Sequence, residues 1–460
     1  MNGFILASTE GNAGKTVATL SLLTALTRND IKVDVFKNSG DFIDPLLHKF
    51  LTDKYTYNLD TWLMGKENVA KSFANYSSPD HLQIIEGSKG LFDGYSGSTE
   101  EGSTAHLAKT LGLPVVLVMN ANDSTNTIAT IAHSFRNYDP QVKIAGVILN
   151  FVQSDHHKKH LMESMAQLDI TVFGCIPKED SLSFDKAYNN MLKSIDFGLN
   201  RKVRDKLTEI GASNFDLEGL CKLEYVNSYI PTSKDQVTPV PGSPTIAVAR
   251  DVAFSFYYQE NIDIMKKFGA TIVEFSPLDD NKLPDDTSAI YIGGGSCGYY
   301  GDYLEGNGPL RIEIKRLAQC GLPIYAESAG LIYLSAALSK GRFRRTLVSI
   351  FDFEVSTLPE IIDSGYIDVS TTDDNPLMPT GGALRGIQIK VADINDISSS
   401  SRDYFRPFNV TNYGITEAAG RTRYNTVVSS AHIHFANNLD AVQQFVEAAS
   451  AFKTFQNESN

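Results

Sequence analysis

The chain has 460 residues, a hydrophobic fraction of 42% and a formal net charge of −13. This length predicts two or three domains, and the apolar fraction excludes a wholly disordered protein because it is large enough for hydrophobic cores. The negative charge argues against a nucleic-acid-binding protein, which needs basic faces to meet a phosphate backbone. The four cysteines show no metal-type spacing and no apolar run is long enough to cross a bilayer, so we expect a cytoplasmic protein with neither nucleic-acid nor membrane partners.

The first predicted strand leads through a glycine-containing loop into a helix. The apolar run Gly3–Ala7 precedes the loop at residues 8–16, and the segment Val17–Leu26 has the apolar periodicity of a helix. First-turn amides at a helix N-terminus have no partners and attract anions, so this layout is typical of a phosphate-binding loop. Thr9 stands where the common pattern has its first glycine, which leaves an ordinary strand-to-helix turn as the alternative.

We predict that this loop binds a nucleoside triphosphate. Lys15 would reach the β- and γ-phosphates and act in catalysis, and the hydroxyl of Thr16 would contact Mg²⁺. The residues expected to contact the nucleotide are Gly11, Asn12, Ala13, Gly14, Lys15, Thr16 and Val17.

Short apolar runs alternate with helical patterns up to about residue 190. Buried strands separated by helices predict a parallel, doubly wound sheet, and ligands bind such sheets at the carboxyl ends of the strands. The further predicted strands are Lys32–Lys37, Gln83–Glu86, Val115–Met119, Ala145–Leu149 and Val172–Ile176.

Polar side chains stand where several of these strands end. Asp41 and Asp44 follow the second strand, and Glu86 ends the third. Carboxylates are the hard oxygen ligands that Mg²⁺ prefers, and three acids beside one loop favour a metal site over ordinary capped turns. Asn150 closes another strand, and its amide offers a donor and an acceptor to a purine edge, with a strand-end cap as the alternative.

The second half of the chain repeats the alternating pattern. Residues 191–226 have a charged helical pattern, and the segment 228–244 is rich in Pro, Ser and Thr, as linkers are. The later predicted strands are Thr245–Ala249, Thr271–Phe275, Ala289–Ile292 and Pro323–Ala326. We therefore expect an ATP-binding domain at 1–227, a linker at 228–244 and a second α/β domain at 245–455, with a frayed polar tail after Phe452.

Nine short motifs, spread over nearly the whole chain, are specific in combination. They are Asp41–Pro45, Asn58–Trp62, Gly90–Gly94, Glu101–Lys109, Gly146–Asn150, Val248–Asp251, Phe256–Tyr258, Gly293–Gly295 and His432–Phe435. Together they resemble the cobyrinate a,c-diamide synthase family. In that family a P-loop domain similar to dethiobiotin synthetase precedes a flavodoxin-like, class I glutamine amidotransferase domain.

The resemblance implies an ATP-dependent carbon–nitrogen ligase that activates a carboxylate as an acyl phosphate. It implies that Lys15 and Thr16 hold phosphate and Mg²⁺, that Asp41 and Glu86 help to hold the metal, and that Asn150 touches adenine. It makes Lys37 and Asp44 candidates for catalysis, with Asp93 a weaker candidate for a substrate or metal contact. A tetrapyrrole carboxylate as substrate and a homodimer are compatible with the same resemblance.

The second half departs from the family at the glutaminase centre. The nucleophilic cysteine is replaced by Ser328, although His432 stands at the position of the catalytic histidine. A hydroxyl is a much weaker nucleophile than a thiolate unless an oriented base takes its proton. In the segment Leu384–Lys390, two histidines and a glutamate of the family pattern are also absent. We therefore expect a ligase that uses free ammonia or another amine instead of glutamine.

Three alternatives stay open from the residues alone. The chain could be a glutamine-dependent cobyrinate-type diamide synthase that tolerates serine, a non-catalytic nucleotide-binding protein, or a hydrolase built on Ser328 and His432. No acid partner for such a hydrolase can be assigned from the sequence. Cys297 is rejected as a substitute nucleophile because it lies off the predicted turn, and the basic cluster from Lys340 to Arg345 is interpreted as a solvated loop.

Overall fold

The computed structural model describes residues 1–179, 182, 201–226, 237–357, 363–390, 392–397, 406–412 and 414–459. The described residues divide into two compact units, one before and one after the gap at 227–236. The predicted linker at 228–244 lies partly outside the described residues, as does the start of the helical pattern at 191–226. The predicted domain boundaries therefore stay predictions.

The first unit is built on a seven-stranded parallel sheet with the order β3-β2-β4-β1-β5-β6-β7. Its strands are β1 (Gly3–Ser8), β2 (Val33–Asn38), β3 (Tyr57–Leu59), β4 (Leu82–Glu86), β5 (Val115–Asn120), β6 (Ile144–Val152) and β7 (Val172–Pro177). Its helices are α1 (Lys15–Arg28), α2 (Ile43–Thr52), α3 (Lys66–Tyr76), α4 (Thr104–Leu111), α5 (Asn126–Tyr138), α6 (Asp155–Gln167), α7 (Arg201–Ser213) and α8 (Leu217–Cys221).

The sheet forms because its strands are apolar on both faces. All six residues of β1 are buried, and the helices that return between strands cover both sides. The predicted doubly wound sheet is confirmed, with all six strands predicted for this part of the chain present. The short edge strand β3 was not predicted, because three residues are too few to show a period of two.

The second unit is also α/β and contains three sheets. Its strands are β8 (Thr245–Ala249), β9 (Thr271–Phe275), β10 (Thr287–Ile292), β11 (Ile324–Glu327), β12 (Ala337–Lys340), β13 (Phe343–Thr346), β14 (Phe353–Thr357), β15 (Asp363–Thr371), β16 (Ala383–Lys390), β17 (Ala392–Asp396), β18 (Phe408–Asn412), β19 (Ile415–Ala419), β20 (Arg421–Arg423), β21 (Thr426–Ser429) and β22 (Ala431–Ile433). Its α-helices are α9 (Gln259–Lys267), α10 (Gly301–Gly306), α11 (Gly308–Gln319), α12 (Ala329–Leu334) and α13 (Leu439–Ser459).

The central sheet of this unit has the order β20-β21-β11-β10-β8-β9, and only the pair of β20 with β21 is antiparallel. This arrangement confirms the predicted second α/β domain. Two further sheets, β13-β12-β14-β17 and β19-β18-β15-β16-β22, were not predicted. Many of their strands are half-exposed and mix polar with apolar residues, so they lack the continuous apolar runs that marked the buried strands.

The tail after Phe452 is helical as far as Ser459, so the expectation that it is frayed was wrong. The helix α13 is held down by buried apolar side chains, including Val442, Phe445 and Val446. Among the helices that the structure describes, none is both long and apolar enough to cross a membrane.

Candidate active site

The phosphate loop occupies the turn between β1 and α1. Gly14 immediately precedes α1 with a φ of 86°, in the left-handed region that favours glycine. A Cβ atom at Gly14 would collide with the side-chain amide of Asn150. Both the backbone conformation and the space therefore require glycine at this position.

Asn150, in β6, contacts the phosphate loop through its side-chain amide. Its Nδ2 donates to the carbonyl oxygen of Ala13 at 3.0 Å, and its Oδ1 accepts from the backbone N–H of Phe151 at 2.9 Å. The residue is buried. In the structure its amide is engaged by the chain itself, so the predicted contact with adenine stays a prediction.

Lys15 lies in the first turn of α1 and points back under the loop. Its Nζ donates to Ser8 Oγ at 2.8 Å and to the carbonyl oxygen of Lys89 at 2.6 Å. Burial, reinforced by the nearby charge of Lys37, lowers the pKa of Lys15 to about 8. The position suits a cation that receives an anionic ligand.

Thr16 and two carboxylates converge beside this lysine. Thr16 Oγ1 lies 3.1 Å from Glu86 Oε1 and 3.4 Å from Asp44 Oδ1. Lys37, at the carboxyl end of β2, donates to Asp44 Oδ2 at 2.5 Å and lies 3.4 Å from Glu86 Oε1. Its ammonium also donates to the carbonyl oxygen of Gly87 at 3.0 Å. The structure thus brings together four predicted site residues from two strands and two helices.

Burial governs the charge states in this cluster. Burial raises the pKa of the Asp44 carboxyl, and the neighbouring Glu86 charge adds to the effect. For Glu86 burial acts in the same direction, but the Lys37 ammonium and a hydrogen bond from His48 outweigh it and lower its pKa. Burial disfavours the charge of Lys37, yet Asp44 and Glu86 together raise the pKa of Lys37. Asp44 is therefore the carboxyl that holds a proton most readily.

His48 belongs to the site and was not predicted. Its Nε2 lies 2.7 Å from Glu86 Oε2, and both side chains are fully buried. His48 follows Asp44 by four residues on α2, so one helix face presents both groups to β4. That spacing of four was the signal available in the sequence.

Two other predicted acids lie around this cluster. Asp41 Oδ1 accepts from the backbone N–H of Ile43 at 2.7 Å, and its charge acts on Lys37 and Asp44. Asp93 Oδ2 accepts from the backbone N–H of Gly90 at 3.0 Å, and its charge acts on Lys15. Their metal or substrate contacts stay predictions.

The donor set fits a magnesium ion. Mg²⁺ is usually held by one or two carboxylates together with phosphate oxygens and water. Asp44 and Glu86 each present a hard oxygen within hydrogen-bonding distance of the Thr16 hydroxyl, next to the phosphate loop. The residues that would hold the ion are therefore Thr16 and Glu86, with Asp44 and Asp41 nearby.

In the second unit, Ser328 occupies a sharp turn between β11 and α12. Its φ of 48° and ψ of −101° are strained for a residue other than glycine. A Cβ atom at Gly330 would collide with the carbonyl oxygen of Ile292, so the following turn packs directly on β10. The predicted nucleophile position is thus a strand-to-helix elbow that now carries a hydroxyl.

His432 and Glu327 stand next to this elbow. His432 is fully buried, and its Nδ1 lies 3.8 Å from Glu327 Oε2. The carboxylate of Glu327 accepts from Tyr291 Oη at 3.0 Å and from Tyr325 Oη at 2.5 Å. A Cβ atom at Gly294 would collide with the imidazole of His432, so this glycine packs directly against the ring. Glu327 is thus an acid near His432 that the sequence could not assign.

The second departure from the family pattern lies at the same place. In the antiparallel pair of β16 and β22, Ile387 is directly opposite His432 and Gln388 is opposite Ala431. Gln388 Nε2 donates to Ser430 Oγ at 2.8 Å. The predicted departure from the family pattern at 387–390 therefore lies on the strand that pairs with the strand of His432.

Neither of the remaining sequence candidates forms a site here. Cys297 is buried, and burial raises the pKa of its thiol to about 12, which keeps it protonated at neutral pH. The basic cluster was wrongly interpreted as a loop, because it lies in the antiparallel pair of β12 and β13. Two of its members are paired, Arg344 with Glu354 and Arg345 with Asp302.

Comparison with known proteins gives matches over both units. A model described as the CobQ/CobB/MinD/ParA nucleotide binding domain matches residues 4–192, and a CobB/CobQ-like glutamine amidotransferase domain matches residues 245–440. A cobyrinate a,c-diamide synthase of Caldanaerobacter subterraneus subsp. tengcongensis is 32% identical, covering 98% of this chain and 98% of the relative. Another from Synechococcus sp. is 31% identical over 96% of this chain and 97% of its own. A third, from Clostridium acetobutylicum, is 32% identical over 97% of this chain and 100% of its own.

Proposed function

The chain belongs to the cobyrinate a,c-diamide synthase family, and from that membership we propose that it is an ATP-dependent ligase that converts a carboxylate into an amide. The observation that carries the proposal is the convergence of Lys15, Thr16, Lys37, Asp44 and Glu86 on one phosphate loop. A phosphoryl transfer needs alignment and charge neutralisation, and this cluster supplies both.

The reaction has two steps. In the first, an oxygen of the substrate carboxylate attacks the γ-phosphorus of ATP, the bond to the bridging oxygen breaks, and ADP leaves with an acyl phosphate formed. In the second, the lone pair of an amine nitrogen attacks the acyl carbon, inorganic phosphate leaves, and the nitrogen loses a proton to give the amide. Lys15 stabilises the charge that builds on the transferred phosphoryl group, and Lys37 orients Asp44 and Glu86.

ATP and Mg²⁺ are the cofactors of this proposal. Thr16 and Glu86 would hold the metal, with Asp41 and Asp44 at its margin. The ion supplies neutralisation of the phosphate charge when it is bound. The loop residues 11–17 would hold the phosphates, and Asn150 would keep the loop in shape through Ala13.

We propose free ammonia or another amine as the nitrogen source. Ser328 is a weak nucleophile compared with a cysteine thiolate, and Ile387 faces His432 where the family pattern has a polar residue. The second unit therefore keeps the shape of an amidotransferase while its capacity to hydrolyse glutamine is lost or greatly reduced.

The names of the relatives make a tetrapyrrole carboxylate, cobyrinate, the first substrate to test. The homodimer stays a prediction, which sedimentation of the purified chain would check.

The proposal is tested by ATP turnover with cobyrinate and either ammonia or glutamine as nitrogen donor. We expect ammonia to support amide formation and glutamine to support little. Lys15→Ala should abolish amide formation with either donor, because the transferring phosphate loses roughly 3–4 kcal/mol of electrostatic stabilisation. Ser328→Ala is the matched variant in the other unit, and it should leave ammonia-dependent turnover close to that of the unaltered chain.

Each other result identifies a different function. Robust glutamine-dependent turnover that Ser328→Ala abolishes would show a working glutaminase. ATP binding without product from any carboxylate and amine would show a nucleotide-binding protein that is not a ligase.

A serine hydrolase is the second candidate, because the carboxylate of Glu327 lies 3.8 Å from Nδ1 of His432, the residue that would serve as the base. Ester hydrolysis that needs no ATP, is lost in Ser328→Ala and is blocked by a serine-reactive phosphonate would support it. The absence of phosphonate labelling at Ser328 would exclude it.

A further inference from the structure

Two histidines on the exposed surface of α6 face each other. His156 and His160 are four residues apart, and their Nε2 atoms lie 3.0 Å from each other. The two rings stand at 90° with their centroids 4.4 Å apart. We propose that this pair chelates one divalent transition-metal ion of square or tetragonal preference, the class of copper(II) and nickel(II).

The spacing follows from helix geometry, and the separation of the two nitrogens suits two metal bonds at a right angle. Side chains at i and i+4 share one helix face, and a histidine pair at this spacing binds zinc in known helical motifs. Imidazole nitrogens bind such metals at about 2.0–2.1 Å. Two bonds of that length at a right angle put the nitrogens about 2.8–3.0 Å apart, whereas a tetrahedral angle puts them about 3.3–3.4 Å apart. The observed separation matches the right angle.

The surroundings leave both Nε2 atoms accessible to an ion. His156 and His160 are exposed. On the other edge of the His160 ring, Nδ1 lies 3.7 Å from Glu163 Oε2, so the carboxylate lies on the side of the ring away from Nε2. Glu163 also lies 4.0 Å from Lys159 Nζ.

The neighbouring histidine does not take part. His157 Nδ1 accepts from the backbone N–H of Gln153 at 3.2 Å, and its Nε2 lies 2.7 Å from the carbonyl oxygen of Ser124. Within the described residues no group of three or more His, Cys, Asp or Glu side chains is arranged to hold a metal. The site is therefore a two-ligand chelate, and water would fill its remaining positions.

The separation of 3.0 Å between the two Nε2 atoms also suits a hydrogen bond between two neutral imidazoles. The two explanations predict different results when copper(II) is added. A chelate gives a complex of one copper per chain with two imidazole nitrogens, whereas a surface with only hydrogen-bonded histidines gives weak binding spread over several sites.

The experiment titrates Cu²⁺ into the tag-free full chain after dialysis against a chelator, followed by calorimetry and electron paramagnetic resonance. We expect one equivalent of Cu²⁺ with hyperfine structure from two nitrogens. His156→Ala and His160→Ala should each lower the affinity for Cu²⁺ at least about tenfold. Removing a residue that merely hydrogen-bonds a metal ligand commonly costs that much, and here a ligand itself is removed. His133→Ala is the matched control, since His133 is also exposed on a helix of the same unit. The affinity of this variant for Cu²⁺ should equal that of the unaltered chain.

Thermal unfolding gives a second readout. An ion that binds only the folded chain stabilises it by mass action, so Cu²⁺ should raise Tm in the unaltered chain and in His133→Ala but not in the other two variants. Equal affinity in the unaltered chain and His156→Ala, or a signal from one nitrogen only, would overturn the proposal. The proposal is independent of the ligase reaction, because Lys15→Ala should bind Cu²⁺ as the unaltered chain does.

Discussion

At the scale of single residues, the two lysines of the nucleotide site differ in how their charges are compensated. Lys37 touches both Asp44 and Glu86 and keeps its proton firmly. Among the described residues, Lys15 donates to two neutral oxygens, those of Ser8 and of the Lys89 carbonyl, and its pKa falls to about 8. Lys15 is therefore the group that gains most from an incoming anion.

ATP binding should consequently be coupled to proton uptake near pH 8. Phosphate beside Lys15 favours the charged amine and raises its pKa, so the complex holds more protons than the free chain above pH 8. The affinity for metal-free ATP should therefore fall as pH rises above 8, by up to about tenfold per pH unit. Calorimetry in buffers of different ionisation enthalpy measures the protons taken up. Lys15→Met should lose the uptake and Asp44→Asn should keep it; uptake that persists in Lys15→Met would contradict the assignment.

His48 acts as a positioning residue for Glu86. Removing its imidazole in His48→Leu takes from the buried Glu86 carboxylate a partner at 2.7 Å. We expect the Mg²⁺ concentration for half-maximal turnover to rise about 10- to 100-fold, since outer-shell partners of metal ligands carry effects of that size. His48→Gln keeps an N–H donor and should recover part of the loss. An unchanged Mg²⁺ requirement in a folded His48→Leu protein would show that the residue serves packing alone.

At the scale of elements, the second unit has the turn expected at Ser328, whereas its strand β16 differs from the family pattern. The turn after β11 keeps its strained backbone at Ser328, and β22 still places His432 beside Glu327. Strand β16 has changed, because its Ile387 faces His432. Two substitutions on different elements therefore account for the expected loss of glutamine hydrolysis.

Restoring both positions should restore part of the activity. Ser328→Cys introduces a thiol with a pKa of about 8.5, which ionises near neutral pH where a hydroxyl does not. We expect Ser328→Cys to raise glutamine hydrolysis by about tenfold or more over background, and Ser328→Cys with Ile387→His to raise it further. Glutamate release measures the outcome, and the same changes in a Cys297→Ala background exclude the buried thiol. A double variant that stays at background would show that another part of the glutamine site is missing.

At the scale of the whole molecule, each unit has its own hydrophobic core. The first core includes Phe4, Leu22 and Ile84, and a core of the second includes Tyr325 and Phe445. A defect in one core should therefore leave the other unit able to fold.

Phe445→Ala tests this independence. Phe445 is fully buried on α13, and its ring packs at 70° against that of Tyr325. Its truncation should destabilise the second unit by about 3–5 kcal/mol through the cavity that it leaves. We expect calorimetric unfolding to show an earlier transition, while ATP binding to the first unit is unchanged at 25 °C. Loss of ATP binding in step with that transition would show that the two units unfold together.

The sequence by itself determined the features that depend on local rules. The loop before Lys15, the alternation of strands and helices, and the acids at strand ends follow from backbone conformation and from periodicity over a few residues. The resemblance to the family, and not these local rules, predicted that Ser328 stands in the place of a cysteine. The local rules failed for the two further sheets between β12 and β22, where strands of mixed polar and apolar residues show no continuous apolar run.

Only the tertiary structure decided which distant side chains meet. His48 contacts Glu86 across 38 residues of chain, and Asn150 holds Ala13 across 137. Ile387 reaches His432 only because β16 and β22 pair in one particular register. Such contacts are set by packing and strand register, which depend on the whole core, so no local pattern around any one of these residues could reveal them.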